Sequence, residues 1–252
     1  MARGQSRCGS ISTVIHVLGS EFVNFYLVEQ GGEVTLVDAG CAGYQPMLEP
    51  ALAAHGLALT DIKAIVLTHA DPDHVGFSAQ LSKQLGIPVY VHSADLERAK
   101  SGKTKKAEGS PLSALKMFGH SYSRKLIRHM LSSGGAKQAP LPDAVAYEDG
   151  ETLNVPGKLR AVHTPGHTEG HAVLVAEDDG ALFVGDALNN VALDTGQPGA
   201  RLPLSIMNTS NAQARASLSR IAALDAQTIY FGHGKPATAS PKAVVDEALA
   251  RL

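Results

Sequence analysis

The sequence predicts an α/β fold, and three observations carry that expectation. Short apolar runs with strand character alternate with stretches of helical period. Glycine and proline punctuate most of the boundaries. Histidine or aspartate follows directly on several of the apolar runs, the position where open α/β sheets place their sites. With 252 residues the chain can bury a sizeable core without disulfide staples.

The elements follow in chain order. Ile11–Leu18 and Phe22–Glu29 are strand-like, with Gly19-Ser20 as the turn between them. Gly31-Gly32 turns the chain into a third strand, Glu33–Asp38. Tyr44–His55 has helical periodicity and Gly56 is its stop. Ile62–Thr68 is a buried strand, Val75–Leu85 a helix closed by Gly86, and Ile87–His92 another strand. From Arg98 to Lys137 ten lysines and arginines face Glu108 alone. Lys100–Gly109 reads as a mobile linker. Leu112–Leu131 reads as an amphipathic helix with Leu115, Phe118, Tyr122 and Leu126 on one stripe, ended by Gly134-Gly135. Strands return at Val145–Leu153, Leu159–His163, Ala172–Glu177 and Ala181–Gly185. A helix over Gln213–Leu224, a strand over Thr228–Phe231 and a final helix over Pro241–Leu252 complete the chain. The expectation is one domain over residues 1–252, with a basic helical insert at about 96–140 between two strand-rich halves.

Composition narrows the function. The apolar share is 44%, the charged share 18% and the formal net charge −2, which fits an ordinary globular protein and makes nucleic acid an unexpected partner. The two cysteines, Cys8 and Cys41, cannot form a disulfide framework and suit a reducing compartment. Cys41 follows a strand and reads as a small buried residue. Met1–Ser12 has no apolar core of a signal peptide and no run reaches a membrane span, so a cytoplasmic protein without membrane contact is expected. Oligomeric state is not legible.

The chemistry concentrates after the strand Ile62–Thr68, in His69-Ala70-Asp71-Pro72-Asp73-His74. Extended residues alternate faces, so positions 69, 71 and 73 can point one way, and Pro72 favours an extended Asp71. Four metal-binding side chains thus fall within six residues. Later segments repeat the pattern of a histidine or aspartate in a tight turn after an apolar run. These are His163-Thr-Pro-Gly-His167-Thr-Glu-Gly-His171, Val184-Gly-Asp186 and Phe231-Gly-His233-Gly. Imidazole and carboxylate donors without thiolate suit zinc, iron or manganese.

In this order the motifs resemble the metallo-β-lactamase superfamily, over nearly the whole span from Phe22 to His233. Val37-Asp38-Ala39-Gly40 is similar to that family's strand end, whose aspartate supports the ligands from behind. The resemblance implies an αββα sandwich with a dinuclear metal site at one edge between the sheets. It assigns His69, Asp71 and His167 to one ion, Asp73, His74 and His233 to the other, and Asp186 as the bridge. Two divalent ions are implied, zinc foremost, with iron or manganese as alternatives. A hydroxide held by the metals would attack a carbonyl ester, lactone or thioester of a small molecule, with Asp73 orienting it and moving the proton. His171 would support the site or touch substrate.

The sequence departs from the family's HxHxDH pattern at Asp71, where histidine is usual. Two divalent ions, three aspartates and a hydroxide then cancel to a neutral centre, which predicts a weaker pull on anionic substrates and a preference for harder metals. Asp71-Pro72 also reads as a helix cap followed by the first helical residue, which would leave the first ion weak or absent. The other functions carried are an iron-dependent redox enzyme of the persulfide dioxygenase type and a phosphodiesterase or nuclease of the same superfamily. The basic segment reads as a solvated face or as a substrate entrance. The apolar stripe containing Leu126 reads as a cap over the metals or as core packing. His163 and His92 read as structural.

Overall fold

The computed structural model of the protein describes residues 13–108 and 119–252. Its strands are β1 (Thr13–Gly19), β2 (Asn24–Gln30), β3 (Glu33–Val37), β4 (Ile62–Val66), β5 (Val89–His92), β6 (Val145–Tyr147), β7 (Arg160–His163), β8 (Ala172–Ala176), β9 (Ala181–Gly185), β10 (Asn189–Val191), β11 (Pro198–Arg201), β12 (Thr228–Phe231) and β13 (Ala237–Thr238). The α-helices are α1 (Leu48–Ala54), α2 (Pro72–Val75), α3 (Ser78–Leu85), α4 (Ser93–Ser101), α5 (Ser121–Ser132), α6 (Asn211–Ala222) and α7 (Pro241–Leu249).

Two mixed sheets result. One runs β1-β2-β3-β4-β5-β6, antiparallel through β3 and parallel from there on. The other runs β13-β12-β9-β8-β7, with only β9 and β12 parallel. A separate ribbon pairs β10 with β11.

The central strands β2, β3, β4, β8 and β9 are largely buried on both faces, and period-2 alternation sorts their side chains into separate layers. Tyr26, Val28, Ala64 and Val66 of the first sheet meet Ala172, Leu174, Ala181 and Phe183 of the second in a core between the sheets. The alternate residues Phe25, Leu27 and Ile65 face outward, onto Leu48 and Leu52 of α1 and Leu81 of α3. Val173, Val175, Leu182 and Val184 face the other way, onto Leu218 and Ile221 of α6 and Val244 and Val245 of α7. The order of layers is therefore helix, sheet, sheet, helix, as the family resemblance implies. A fully buried side chain such as Phe183 contributes about 1.5–3 kcal/mol to that stack.

Polar side chains buried in the core set the strand ends from which the site is built. Tyr147 donates its hydroxyl to the Leu67 carbonyl at 2.7 Å, two residues before His69. Asn24 Nδ2 and the Tyr26 hydroxyl both donate to the Phe231 carbonyl, at 3.0 and 2.5 Å, two residues before His233.

Several boundaries differ from the expectations. The helix expected over Val75–Leu85 is two helices broken at Gly76, whose φ of 37° and contact with the Gly40 carbonyl leave no space for a side chain. Tyr44–His55 begins as a 3-10 turn containing Pro46, then becomes α1. The run Val145–Leu153 is strand only to Tyr147. In the basic segment, α4 was not expected. Part of the amphipathic helix, with Leu115 and Phe118, lies outside the described residues, as do Ile11 and Cys8; its continuation is α5.

Candidate metal centre

The loop after β4, α2, the loop after β7, and the turns after β9 and β12 meet at one edge between the sheets. Their ligand-type atoms form three overlapping groups, each within 4.8 Å of one another: His69, Asp71 and His167; His69, His74 and Asp186; Asp73, His74 and His233. His167 Nε2 lies 3.0 Å from Asp71 Oδ2 and 3.5 Å from Asp186 Oδ2. His74 Nε2 lies 3.5 Å from Asp186 Oδ1 and 4.0 Å from Asp73 Oδ2. His233 Nε2 lies 3.1 Å from Asp186 Oδ2 and 3.6 Å from Asp73 Oδ2. Gly232 permits this approach, since a β-carbon there would stand 2.3 Å from Asp186 Oδ1 and 2.7 Å from the His74 ring.

Each of the four histidines is held from behind through Nδ1. His74 donates to Asp38 Oδ2 at 2.8 Å, His233 to the Phe22 carbonyl at 2.5 Å and His167 to Asn208 Oδ1 at 3.2 Å. His69 donates to the Thr68 hydroxyl at 3.0 Å, because that hydroxyl donates its own proton to Asp38. With these hydrogen bonds made through Nδ1, every Nε2 is turned to the centre, the arrangement by which outer partners orient metal-binding imidazoles. His69 Nε2, His74 Nε2 and Asp186 Oδ1 are buried without any hydrogen-bond partner. His233 Nε2 faces Asp186 Oδ2 as acceptor to acceptor unless a proton or a cation lies between them. The donor set and its orphaned atoms fit a divalent cation.

The sequence model of the metallo-beta-lactamase superfamily matches residues 18–233. The chain belongs to this superfamily. It is 28% identical to the probable metallo-hydrolase YflN of Bacillus subtilis, covering 89% of this chain and 85% of that protein. It is 31% identical to a hydroxyacylglutathione hydrolase of Methylococcus capsulatus, covering 86% of this chain and 63% of that one. Among solved structures, a metallo-beta-lactamase family protein of Thermus thermophilus superposes with a TM-score of 0.64 at 29% identity, covering 96% of this chain and 79% of the other.

Against the superfamily pattern, the departure at Asp71 has a structural counterpart. Its backbone occupies the N-cap position of α2 with Pro72 next, but its side chain makes no capping bond. The carboxylate instead meets Arg98 of α4 at 3.2 Å through Oδ1 and Lys105 at 2.5 Å through Oδ2. Lys105 Nζ also stands 2.7 Å from His167 Nε2. The neutral charge count drawn from the ligands alone is therefore incomplete, because two cations stand against the third carboxylate. Lys105 thus ties the irregular stretch 103–108 of the expected linker to the site. The strictly extended 69-71-73 alternation is corrected too: Pro72 starts a helical turn, so Asp73 and His74 are consecutive positions of α2.

Other expected residues divide clearly. Asp38, with φ of 59°, accepts from the Thr68 amide and hydroxyl and from His74, and so supports two ligand-type histidines. His171 is fully buried; its Nδ1 faces the Thr164 hydroxyl at 2.9 Å and its Nε2 accepts the Asp186 amide proton at 3.1 Å. Its contact is therefore with the Asp186 backbone. His92 and His163 stack with centroids 4.1 Å apart, and the Cys41 thiol is buried, its pKa pushed up to about 12 mainly by burial. Asp95 carries no motif, yet one oxygen accepts from the Ala70 amide, the Thr168 hydroxyl and Arg98, and the other from the Gly170 amide. It ties the His69–His74 loop to the His163–His171 loop. Its only sequence signal was the three-residue spacing to Arg98 on one helical face.

Electrostatics separate the members of the cluster. Burial alone would lower His74, but the carboxylates of Asp38, Asp186 and Asp73 outweigh it and lift the ring to about 10. His233 is raised against burial chiefly by Asp186. His69 is held well below its usual range by burial and by His74. Asp71 and Asp186 are held low despite burial, by Lys105 and His167 for the first and by His233 and His74 for the second. Above this cluster opens a pocket of about 420 Å³. Asp71, Asp73, Lys105 and His233 lie at one end, and Leu126, Ile127 and Met130 of α5 with Met207 line another part of its wall.

Proposed function

We propose that the protein is a metal-dependent hydrolase of a small molecule, acting on a thioester or related carboxylic ester or lactone with an apolar acyl group. The observation that carries this reading is the convergence of pinned imidazoles and carboxylates at the end of an apolar pocket. The relative that acts, by its name, on hydroxyacylglutathione supports the thioester as first choice within the class. Zinc is the first candidate ion, with iron or manganese next, and His69, His74, His233, Asp73 and Asp186 are the residues that would hold it. Such an ion, when bound, lowers the pKa of water toward about 7 and polarises a carbonyl.

The chain's own residues supply the rest. The wall formed by Leu126, Ile127, Met130 and Met207 takes the acyl group and keeps bulk water from the reacting end. Asp73, less buried than Asp186, faces the pocket and is placed to orient a water and accept its proton. His171 keeps the Asp186 backbone in place. Among the described residues no helix is long and apolar enough to cross a membrane.

The test is a hydrolysis screen of chelated protein reloaded with zinc, iron or manganese. Substrates are acyl thioesters, lactones, carboxylic esters and a phosphodiester. Thioester or ester cleavage that disappears on chelation is expected. Cleavage of the phosphodiester alone, or activity indifferent to chelation, overturns the proposal.

A further inference from the structure

We propose that Lys105 is the second cation of this centre, so that the protein binds a single divalent ion tightly and holds an ammonium at the Asp71–His167 corner. The inference rests on the reading of the cluster as a metal centre.

Three observations converge on it. The two atoms that define this corner, Asp71 Oδ2 and His167 Nε2, are both engaged by Lys105 Nζ, at 2.5 and 2.7 Å. The other Asp71 oxygen is taken by Arg98, itself anchored to Asp95 at 3.1 Å. Both cationic side chains are almost entirely buried, at 12% and 10% exposure, so these ion pairs are not screened surface contacts. Three atoms of the centre without hydrogen-bond partners, His69 Nε2, His74 Nε2 and Asp186 Oδ1, belong to residues that form a second group of ligand-type atoms within 4.8 Å, sharing only His69 with the Asp71–His167 group. The centre therefore has one set of donors awaiting a cation and another set already supplied with one. The residue type at position 71 fits the same account. A histidine there would give the ammonium only a neutral acceptor, whereas aspartate gives it a counter-charge. The departure from HxHxDH and the presence of Lys105 thus explain each other. An ion entering the Asp71–His167 corner would have to displace the ammonium against direct repulsion.

The experiment is metal titration of chelated full-length protein with zinc and with cobalt. Bound metal per chain is counted after dialysis, and affinities come from competition with a chromophoric chelator. The wild type is expected to retain one ion per chain. Lys105→Met, which keeps the aliphatic stem and removes the charge, is expected to gain a second ion with about a hundredfold tighter affinity than the wild type shows for it, the scale of removing one charge a few ångströms away. Lys106→Met, a change at an exposed neighbour, should match the wild type. Two ions of equal affinity in the wild type overturn the proposal without reference to any variant. So does a Lys105→Met protein that gains nothing. No retained metal in either protein overturns the metal-centre reading itself.

Discussion

The two corners of the site use the same kinds of donor and surround them differently. Around Asp73, His74 and His233 the support comes from the frame of the two sheets. Asp38 at the end of β3 takes one ring, and the carbonyl of Phe22, just before β2, takes the other. Around Asp71 and His167 the neighbours are cations from the segment between β5 and β6, Arg98 on α4 and Lys105 beyond it. One corner is built into the fold, and its His74 Nε2, like the adjacent Asp186 Oδ1, has no hydrogen-bond partner. The other is supplied with charge by a segment that could change without altering either sheet. On the reading proposed above, metal binding and charge balance fall to different parts of the chain.

The comparison breaks most visibly if the corners contribute equally. His74→Ala removes a donor of the framework corner and leaves Asp38 and Asp186 without their shared ring. We expect hydrolysis to fall by about 10³-fold or more, the scale of losing several kcal/mol of transition-state stabilisation, with metal lost on dialysis. Asp71→Asn keeps shape and removes the charge opposite Lys105; its loss should be about 10-fold, with one ion retained. Steady-state rates and metal content of the two variants decide the matter, and equal losses would erase the distinction.

Much of this was legible in the sequence, and the reasons differ by element. The run Thr228–Phe231 is short, apolar and bounded by turn residues, and it is β12 with those bounds. His69, His167, Asp186 and His233 stood out because each follows a strand, and the structure brings them together with Asp71, Asp73 and His74. The ribbon of β10 and β11 was missed, since strands of three and four residues that include Pro198 and Gly199 carry no periodic signal. Helix α4 was missed because it is mostly polar and buries only Asp95 and Ala99. Lys105 could not be found at all. Its contact with Asp71 spans 34 residues and involves a charged side chain in a segment without period.

Asp95 sharpens the comparison through stability. It joins the Ala70 amide, before Asp71, to Thr168 and Gly170, after His167, and it holds Arg98. Asp95→Ala leaves a buried guanidinium with one counter-charge in place of two and strips two buried amides of their acceptor. We expect a loss of about 3 kcal/mol in urea unfolding of the metal-free protein. The metal held at the framework corner should remain at one ion per folded chain. Asp38→Asn is the reciprocal change. It keeps the volume of the side chain but takes the charge from behind His74, and metal affinity should weaken by about 10–100-fold while stability changes less. Isothermal titration with zinc measures it, and an unchanged affinity would show that Asp38 is only a structural link between β3 and α2.

The smallest effect concerns acid sensitivity behind the Asp71 corner. His92 accepts the Ala94 amide at the start of α4, the helix that carries Asp95 and Arg98. Burial and the stacked His163 ring lower its pKa, against the opposing pull of Glu148, Asp95 and Asp149. A folded-state pKa below the unfolded value near 6.5 means that the unfolded chain takes up the proton first. The corresponding stability is present above about pH 6.5 and is lost as the pH falls through the folded value. His92→Asn retains a side-chain acceptor for the cap and removes the titration. Thermal unfolding of both chelated proteins between pH 8 and 5 should therefore give a shallower acid decline for the variant, with a difference in Tm of no more than about 3 °C at this chain length. The histidines that do not touch His92 are common to both curves and cancel in the difference; the stacked His163 is the exception, and His163→Asn in both proteins removes it from the comparison. Parallel curves would show that His92 contributes nothing to the acid decline; His74 and His233, whose pKa values are raised, gain stability from the proton and oppose that decline.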